Sequence, residues 1–217
     1  MSVNKPDEWN EFRQWFGAGV DELHRIESHA DSLLIDRARA QFSGIFESGA
    51  AAAAVDHLDR LLAMAWSAEG AVLLRHYLAY ALAVRTVEVR GVTRDGALVI
   101  VERSQLEACE HLAHRIQRLE TGDPELEGFA ADLLDRLEEG QRWQWTGARA
   151  ALGFTGLVLL LGVLPVVGGG LLSSAPTVVF GALVGAVLVF VFVVRHRKQR
   201  WLVDAEAQAP LVWRPGS

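Results

Sequence analysis

Residues Ala150–Val194, AALGFTGLVLLLGVLPVVGGGLLSSAPTVVFGALVGAVLVFVFVV, contain no Asp, Glu, Lys, Arg or His over 45 positions. Two apolar arms, Ala150–Val167 and Ala175–Val194, of 18 and 20 residues, flank the seven-residue connection Gly168–Ser174. A helix rises about 1.5 Å per residue and a bilayer's hydrocarbon core is about 30 Å thick, so each arm nearly matches one crossing. The pattern predicts a two-helix transmembrane hairpin.

Charge on either side of the arms sets its orientation. Arg142 and Arg149 precede the first arm, Arg195, Arg197, Lys198 and Arg200 follow the second, and the connection has no charge. The excess of basic residues at both outer ends places both termini on the cytoplasmic side of the inner (plasma) membrane. Trp143 and Trp145 before the hairpin and Trp201 after it then lie at one lipid–water boundary, so Trp143, Trp145, Arg149, Arg195, Arg197, Lys198 and Trp201 are the expected interfacial anchors. In the second arm Gly181 and Gly185 form a GxxxG beside Ala182 and Ala186. Such a small-residue face admits either the first arm of the same hairpin or a second subunit. Pro176 and Ser174 suit a helix start, and Pro165 is placed to kink the end of the first arm. The only polar side chains are Thr155, Ser173, Ser174 and Thr177, which argues against an ion-selective path or proton relay.

The rest of the chain reads as a helical domain at about 1–140, the hairpin region at 141–200 and a tail at 201–217. Residues 1–149 carry 16 Lys/Arg against 25 Asp/Glu, and the whole chain has a net charge of −6. An acidic domain repels phosphate backbones, so no nucleic-acid partner is expected. The N-terminal residues lack the basic start and apolar run of a secretory signal. Cys109 is the single cysteine, which excludes an internal disulfide.

Pro6, Asp7 and Glu8 suit a first helical turn, with Trp9, Phe12 and Phe16 on one face and Gly17-Ala18-Gly19 as an interruption. From Asp21 to Phe46 the positions Leu23, Ile26, Ala30, Leu34, Ala38 and Ile45 predict a long amphipathic helix. Glu27 falls on its apolar face, where an unpaired carboxylate is costly. A third helix opens at the alanine run after Gly49, with the stripe Val55, Leu58, Leu62, Ala65 and Trp66. Ala71–Val84 is apolar on every side except Arg75 and His76, as a central core helix would be. Arg75 projects among Leu78, Ala79 and Leu82, and Glu27 and Arg75 are the candidate buried ion pair.

Thr86–Glu102 is rich in β-formers around Asp95-Gly96 and predicts a β-hairpin with Glu88 opposite Arg103. An isolated hairpin is marginal in water, so it leans on the helices or on another subunit. Ser104–Glu107 has capping-box spacing and opens a helix to about Glu120. Thr121-Gly122-Asp123-Pro124 stops that helix and starts another over Pro124–Glu139. Cys109 centres on an apolar face with Leu112 and Ile116, away from His111 and His114, and so reads as an inert core thiol. Glu107/His111 and Glu110/His114 have the four-residue spacing of surface pairs and of metal ligands alike.

No GxxxxGK[ST], GxGxxG in a strand–helix setting, HExxH, GxSxG or kinase signature occurs. Neither a catalytic constellation nor a cofactor or metal site is therefore expected. The fold class is mainly α, a helical bundle with one small β-hairpin followed by the C-terminal hairpin. The leading functional expectation is a membrane-anchored interaction or regulatory protein. Its helical domain binds a protein or signal, and its hairpin tethers it to the bilayer or assembles it as a homo-oligomer. The alternatives are a membrane-disrupting effector restrained by its own domain and a membrane-tethered enzyme.

Overall fold

The computed structural model describes residues 7–26, 31–47, 49–145, 156–171 and 175–214, with backbone alone at 144–145, 169, 177, 192–198 and 214. It is mainly helical and divides into two units, Met1–Gly140 with Asp204–Ser217, and Gln141–Val203.

In the first unit, helices α1 (Glu8–Arg25), α2 (Ser32–Ala40), α3 (Ala50–Met64), α5 (Arg103–Arg118) and α6 (Pro124–Gln141) surround α4 (Ala68–Val89). α4 follows from its composition: its middle, Tyr77–Val84, has no charged residue and has to be enclosed. Leu74, Tyr77, Leu78, Leu82 and Val87 are among its fully buried side chains. Ser67 caps its start, its Oγ accepting from Gly70 N at 2.9 Å, and in turn donates to Asp31 Oδ2 at 2.5 Å. Arg75 is on the exposed side. That corrects its expected burial among Leu78 and Leu82, while Glu27, its expected partner, lies outside the described residues.

α1 corrects two further expectations. It runs unbroken through Gly17-Ala18-Gly19 and ends at Arg25 with Ile26 extended, while α2 begins at Ser32, so Asp21–Phe46 is not one helix. Phe12, Phe16, Val20 and Leu23 form its buried stripe. Gly19 lets the helix approach α4, because a Cβ there would stand 2.0 Å from Tyr80 Oη. Trp66, expected on the core stripe of α3, is exposed beyond the helix end.

The predicted β-hairpin is shorter than its run of β-formers. Thr86–Val89 continue α4, leaving β1 (Gly91–Thr93) and β2 (Leu98–Val99). Differences in propensity are a few tenths of a kcal/mol per residue, less than the burial of Val87 and Val89 contributes. Glu88 consequently pairs with Arg85 at 2.7 Å, and Arg103 with Glu107 at 2.7 Å, rather than with each other. A third strand that the pattern does not announce, β5 (Val212–Arg214), pairs with the other edge of β1, giving the order β2-β1-β5.

The turn serves the helix as well as the sheet. Asp7 N donates to Asp95 O at 3.1 Å and Trp9 N to Gly96 O at 3.0 Å, so carbonyls of the hairpin tip satisfy the open N–H groups of α1. α5 is capped by Glu102 with Gln105, two residues earlier than Ser104 with Glu107. Asp123 accepts from Glu125 N and Leu126 N at the start of α6, as its N-cap position requires. Cys109 is buried on α5 and its Sγ lies 3.6 Å from Thr86 O, the position of a core thiol.

The second unit is a hairpin on a β-ribbon. β3 (Trp143–Trp145) and β4 (Arg197–Gln199) pair antiparallel, Trp143 opposite Gln199 and Trp145 opposite Arg197. The first arm has a π-helical turn at Leu159–Val163 and continues as α7 (Leu164–Leu171); the second is α8 (Ala175–His196). The π-turn lies just before Pro165, which has no N–H for the helical ladder. Gly168-Gly169-Gly170, expected in the connection, belong to α7. The ribbon leads into α9 (Arg200–Gln208), and a 3-10 turn at Ala209–Leu211 precedes β5.

Among the described residues no helix is long and apolar enough to cross a membrane. The first arm is divided by its π-turn at Leu159–Val163.

The Gly19 contact gives a paired test. Gly19→Ala is expected to destabilise by about 1–3 kcal/mol, the usual cost of overpacking. Gly17→Ala, where nothing lies within 4 Å of the added carbon, should stabilise by up to about 1 kcal/mol. Urea unfolding followed by circular dichroism measures both.

Candidate functional site

The principal cleft of the helical unit has a volume of about 470 Å³ and is lined by the N-terminal half of α1, Leu98 of β2, α6 and the residue that ends α4, Arg90. One wall is aromatic. Trp15 stacks on Phe129 at a centroid distance of 5.1 Å and an interplanar angle of 15°, and Phe12 lies 5.8 Å from the same ring. Trp15 Nε1 donates to Glu125 Oε2 at 3.1 Å, which fixes the indole against α6.

The opposite wall is charged. Glu8 joins three elements: its Oε2 accepts from Leu98 N at 3.1 Å and its Oε1 from Arg136 Nη1 at 3.2 Å. Arg90 is only 7% exposed, and its Nε donates to Thr86 O, one turn back on α4, at 3.1 Å. Burial lowers its proton affinity; the Cys109 sulfur and the Glu8 carboxylate oppose that shift, and Arg136 adds to it. Burial likewise pushes the Cys109 thiol up, with Arg90 opposing. Above the α6 turn, Gly128 leaves open space, nothing lying within 4 Å of where its Cβ would be.

None of Glu8, Arg90, Gly128 and Arg136 stands out in the sequence. Glu8 and Arg136 are 128 positions apart, and Arg90 sits in the β-forming run Val87–Val92, where an alternating pattern gives it no distinctive place. The closest signal is one cation in an apolar stretch at a helix–strand junction. The cleft lining contains no Ser, Cys or His, so it has no nucleophile–base pair of the usual kind.

The residues singled out from sequence lie elsewhere. Gly181 and Gly185 turn toward the first arm: a Cβ on Gly181 would meet Pro165 Cβ at 3.0 Å and Gly162 O at 3.1 Å, and one on Gly162 would meet Gly185 Cα at 3.0 Å. Ala182 and Ala186 are exposed on α8. Of the expected anchors, Trp143 is exposed and Trp201 donates from Nε1 to Gln199 Oε1 at 2.7 Å. Trp145, Arg195, Arg197 and Lys198 are placed by backbone alone, and Arg149 lies outside the described residues. His111 and His114 are exposed on α5, and among the described residues no three His, Cys, Asp or Glu side chains are grouped to hold a metal ion.

A second polar cluster closes the C-terminal end of α1. Arg39 Nη2 donates to His24 O at 3.2 Å and Ile26 O at 3.0 Å, and its Nε to Tyr77 Oη at 3.3 Å. His24 lies against Tyr77 and Phe42, its Nε2 buried without a hydrogen-bond partner. Desolvation, reinforced by the Arg39 charge and opposed by Asp21, lowers its pKa from 6.5.

No protein-family model matches the chain, and neither curated proteins nor solved structures include a significant match.

A proton taken up by His24 in the unfolded chain but resisted in the fold favours unfolding as the pH falls. The stability that neutral His24 contributes is complete above pH 6.5 and is lost as the pH drops below that value. The melting temperature should therefore fall between pH 7.5 and pH 5.5, and His24→Phe should flatten that part of the profile. Thermal scans of both proteins across this range measure the difference.

Proposed function

We propose that the protein is a membrane-anchored interaction or regulatory protein. The C-terminal hairpin enters the bilayer, and the helical unit receives a protein or small-molecule signal at the inner membrane surface. One observation carries the reading: the hairpin unit exposes its apolar side chains. Leu160, Leu164 and Leu171 on the first arm and Phe180, Leu183 and Phe190 on α8 are all more than 60% exposed. Burying a side chain of this kind contributes roughly 1.5–3 kcal/mol, so a surface made of them favours hydrocarbon over water.

Three further features support the tether. The two arms contain no charged residue between Ala150 and Val194, and arginines flank them on both sides. The β3–β4 ribbon holds the start of the first arm beside the end of the second, which suits a hairpin entering and leaving at one membrane face. The small-residue face is engaged within the hairpin, Gly162 against Gly185, which favours a self-contained anchor over a lesion assembled through that face.

Flotation of the full chain with phospholipid vesicles, followed by carbonate washing, tests the proposal. The wild-type protein should remain with the lipid. The double variant Leu160→Arg/Phe180→Arg places two guanidinium groups where hydrocarbon is expected, at about 2.5–3.5 kcal/mol each, and should move to the soluble fraction with its helical content retained. A wild-type chain that washes off the vesicles would refute the tether.

A further inference from the structure

We propose that the cleft beside α1 and α6 binds a small monocarboxylate with an aromatic or aliphatic body. Arg90 holds the carboxylate, and Phe12, Trp15 and Phe129 face the body. The inference deepens the regulatory reading and rests on it for what the binding is for, though not for its chemistry.

The starting point is a cation whose side chain is largely buried while its unbonded nitrogens open onto the cleft. Arg90 is 7% exposed and lines the cleft, and its one hydrogen bond runs from Nε to the carbonyl of Thr86 on its own helix. Among the described residues it forms no ion pair. A guanidinium has five N–H donors, so four are left to serve the cleft, and buried cations are ordinarily matched by an anion. Glu8 is the acid whose field reaches Arg90, but its two oxygens are taken by Leu98 N and Arg136. The fork of N–H groups left on Arg90 has the shape that accepts a carboxylate through two parallel hydrogen bonds.

The surroundings narrow the class. Glu8, Glu11, Glu125 and Asp132 line the same cleft with Arg90 and Arg136, so a doubly charged phosphate meets more repulsion than a singly charged carboxylate does. The aromatic wall supplies apolar area for the rest of the molecule, and a volume of about 470 Å³ lies within the range of small-molecule sites. Gly128 points the same way. A glycine inside a helix costs about 1 kcal/mol relative to alanine, and nothing within 4 Å excludes a side chain there. What its absence preserves is the space of the cleft.

Calorimetric titration of the full chain in detergent micelles tests the assignment, with sodium 3-phenylpropanoate as probe and the neutral 3-phenylpropan-1-ol as comparison. The acid should bind at least about tenfold more tightly than the alcohol, the scale of one charge-assisted bidentate contact. Arg90→Lys should weaken the acid about tenfold, and Arg90→Met should remove the difference between acid and alcohol. Gly128→Leu adds a side chain to the cleft lining, at a position where nothing lies within 4 Å of the new Cβ. It should abolish binding of both probes while leaving the unfolding midpoint unchanged or raised, so the test does not depend on the Arg90 variants folding.

Equal binding of acid and alcohol, undiminished binding by Gly128→Leu, or no binding of the acid would each overturn the proposal. Displacement of the acid by inorganic phosphate at lower concentration than by acetate would also overturn it, in favour of a phosphate site. The flotation assay separates the two readings: a chain that stays on vesicles but ignores the acid loses only this inference, and one that binds the acid but washes off loses only the tether.

Discussion

Enclosure of α4 is the constraint from which the helical unit follows. A 22-residue helix in which every residue from Tyr77 to Val84 is buried cannot stand alone in water, and that stretch requires neighbours on all sides. α1, α2, α3 and α5 all pack on it. The neighbours are fitted to it one by one: Gly19 of α1 makes room for Tyr80, and Gly70 of α4 makes room for Asp31 at the start of α2. Ion pairs then fasten the outer layer, Asp59 of α3 to Arg115 of α5 and Arg85 to Glu88 along α4 itself. At 26–39% side-chain exposure for three of these four groups, such pairs set orientation more than they add stability.

The same enclosure explains which features can be read along the chain. Helical periodicity marks the buried stripe of α1, and local turn chemistry marks Asp95-Gly96 and the restart at Asp123-Pro124, because each of these depends on residues a few positions apart. Cys109 is legible for the same reason: its place on one face of α5 follows from 100° per residue. What escapes is whatever depends on distant neighbours. Two glycines two positions apart look like a helix breaker, yet Gly17 and Gly19 are both helical, and only Tyr80, 61 positions away, accounts for Gly19. The β-formers Thr86–Val89 are helical because burial in the bundle outweighs their propensity. β5 is invisible locally, since a three-residue edge strand near the chain end takes its structure from β1. The cleft is less legible still, its polar wall being drawn from α1, the end of α4 and α6.

The hairpin unit obeys the opposite rule. Where α4 is enclosed, α7 and α8 turn large apolar side chains outward, and the glycines of α8 pack on the first arm, Gly181 against Pro165 and Val166 and Gly185 against Gly162 of the π-turn. Two helices cannot enclose one another, so in water this arrangement leaves most of their apolar area unburied; in lipid, the outward side chains are solvated and close backbone approach supplies the cohesion. Sequence and geometry thus bear on different parts of the question. The uncharged run and its flanking arginines are local and concern the medium. The packing of the GxxxG face on the first arm is tertiary, and there Gly162 meets Gly185.

Arg90 joins the packing of the bundle to its chemistry. A cation at the C-terminal end of α4 is favoured by the helix dipole, and its bond to Thr86 O satisfies one carbonyl of the last turn. That accounts for a basic residue at this position, but not for its burial, because an exposed lysine or arginine would serve the same carbonyl without losing its hydration. Glu8 supplies only part of the compensation: its field reaches Arg90, but its hydrogen bonds go to β2 and Arg136. A structural role explains the Nε bond; the four remaining donors, set in a cleft whose other wall is aromatic, are explained by a ligand.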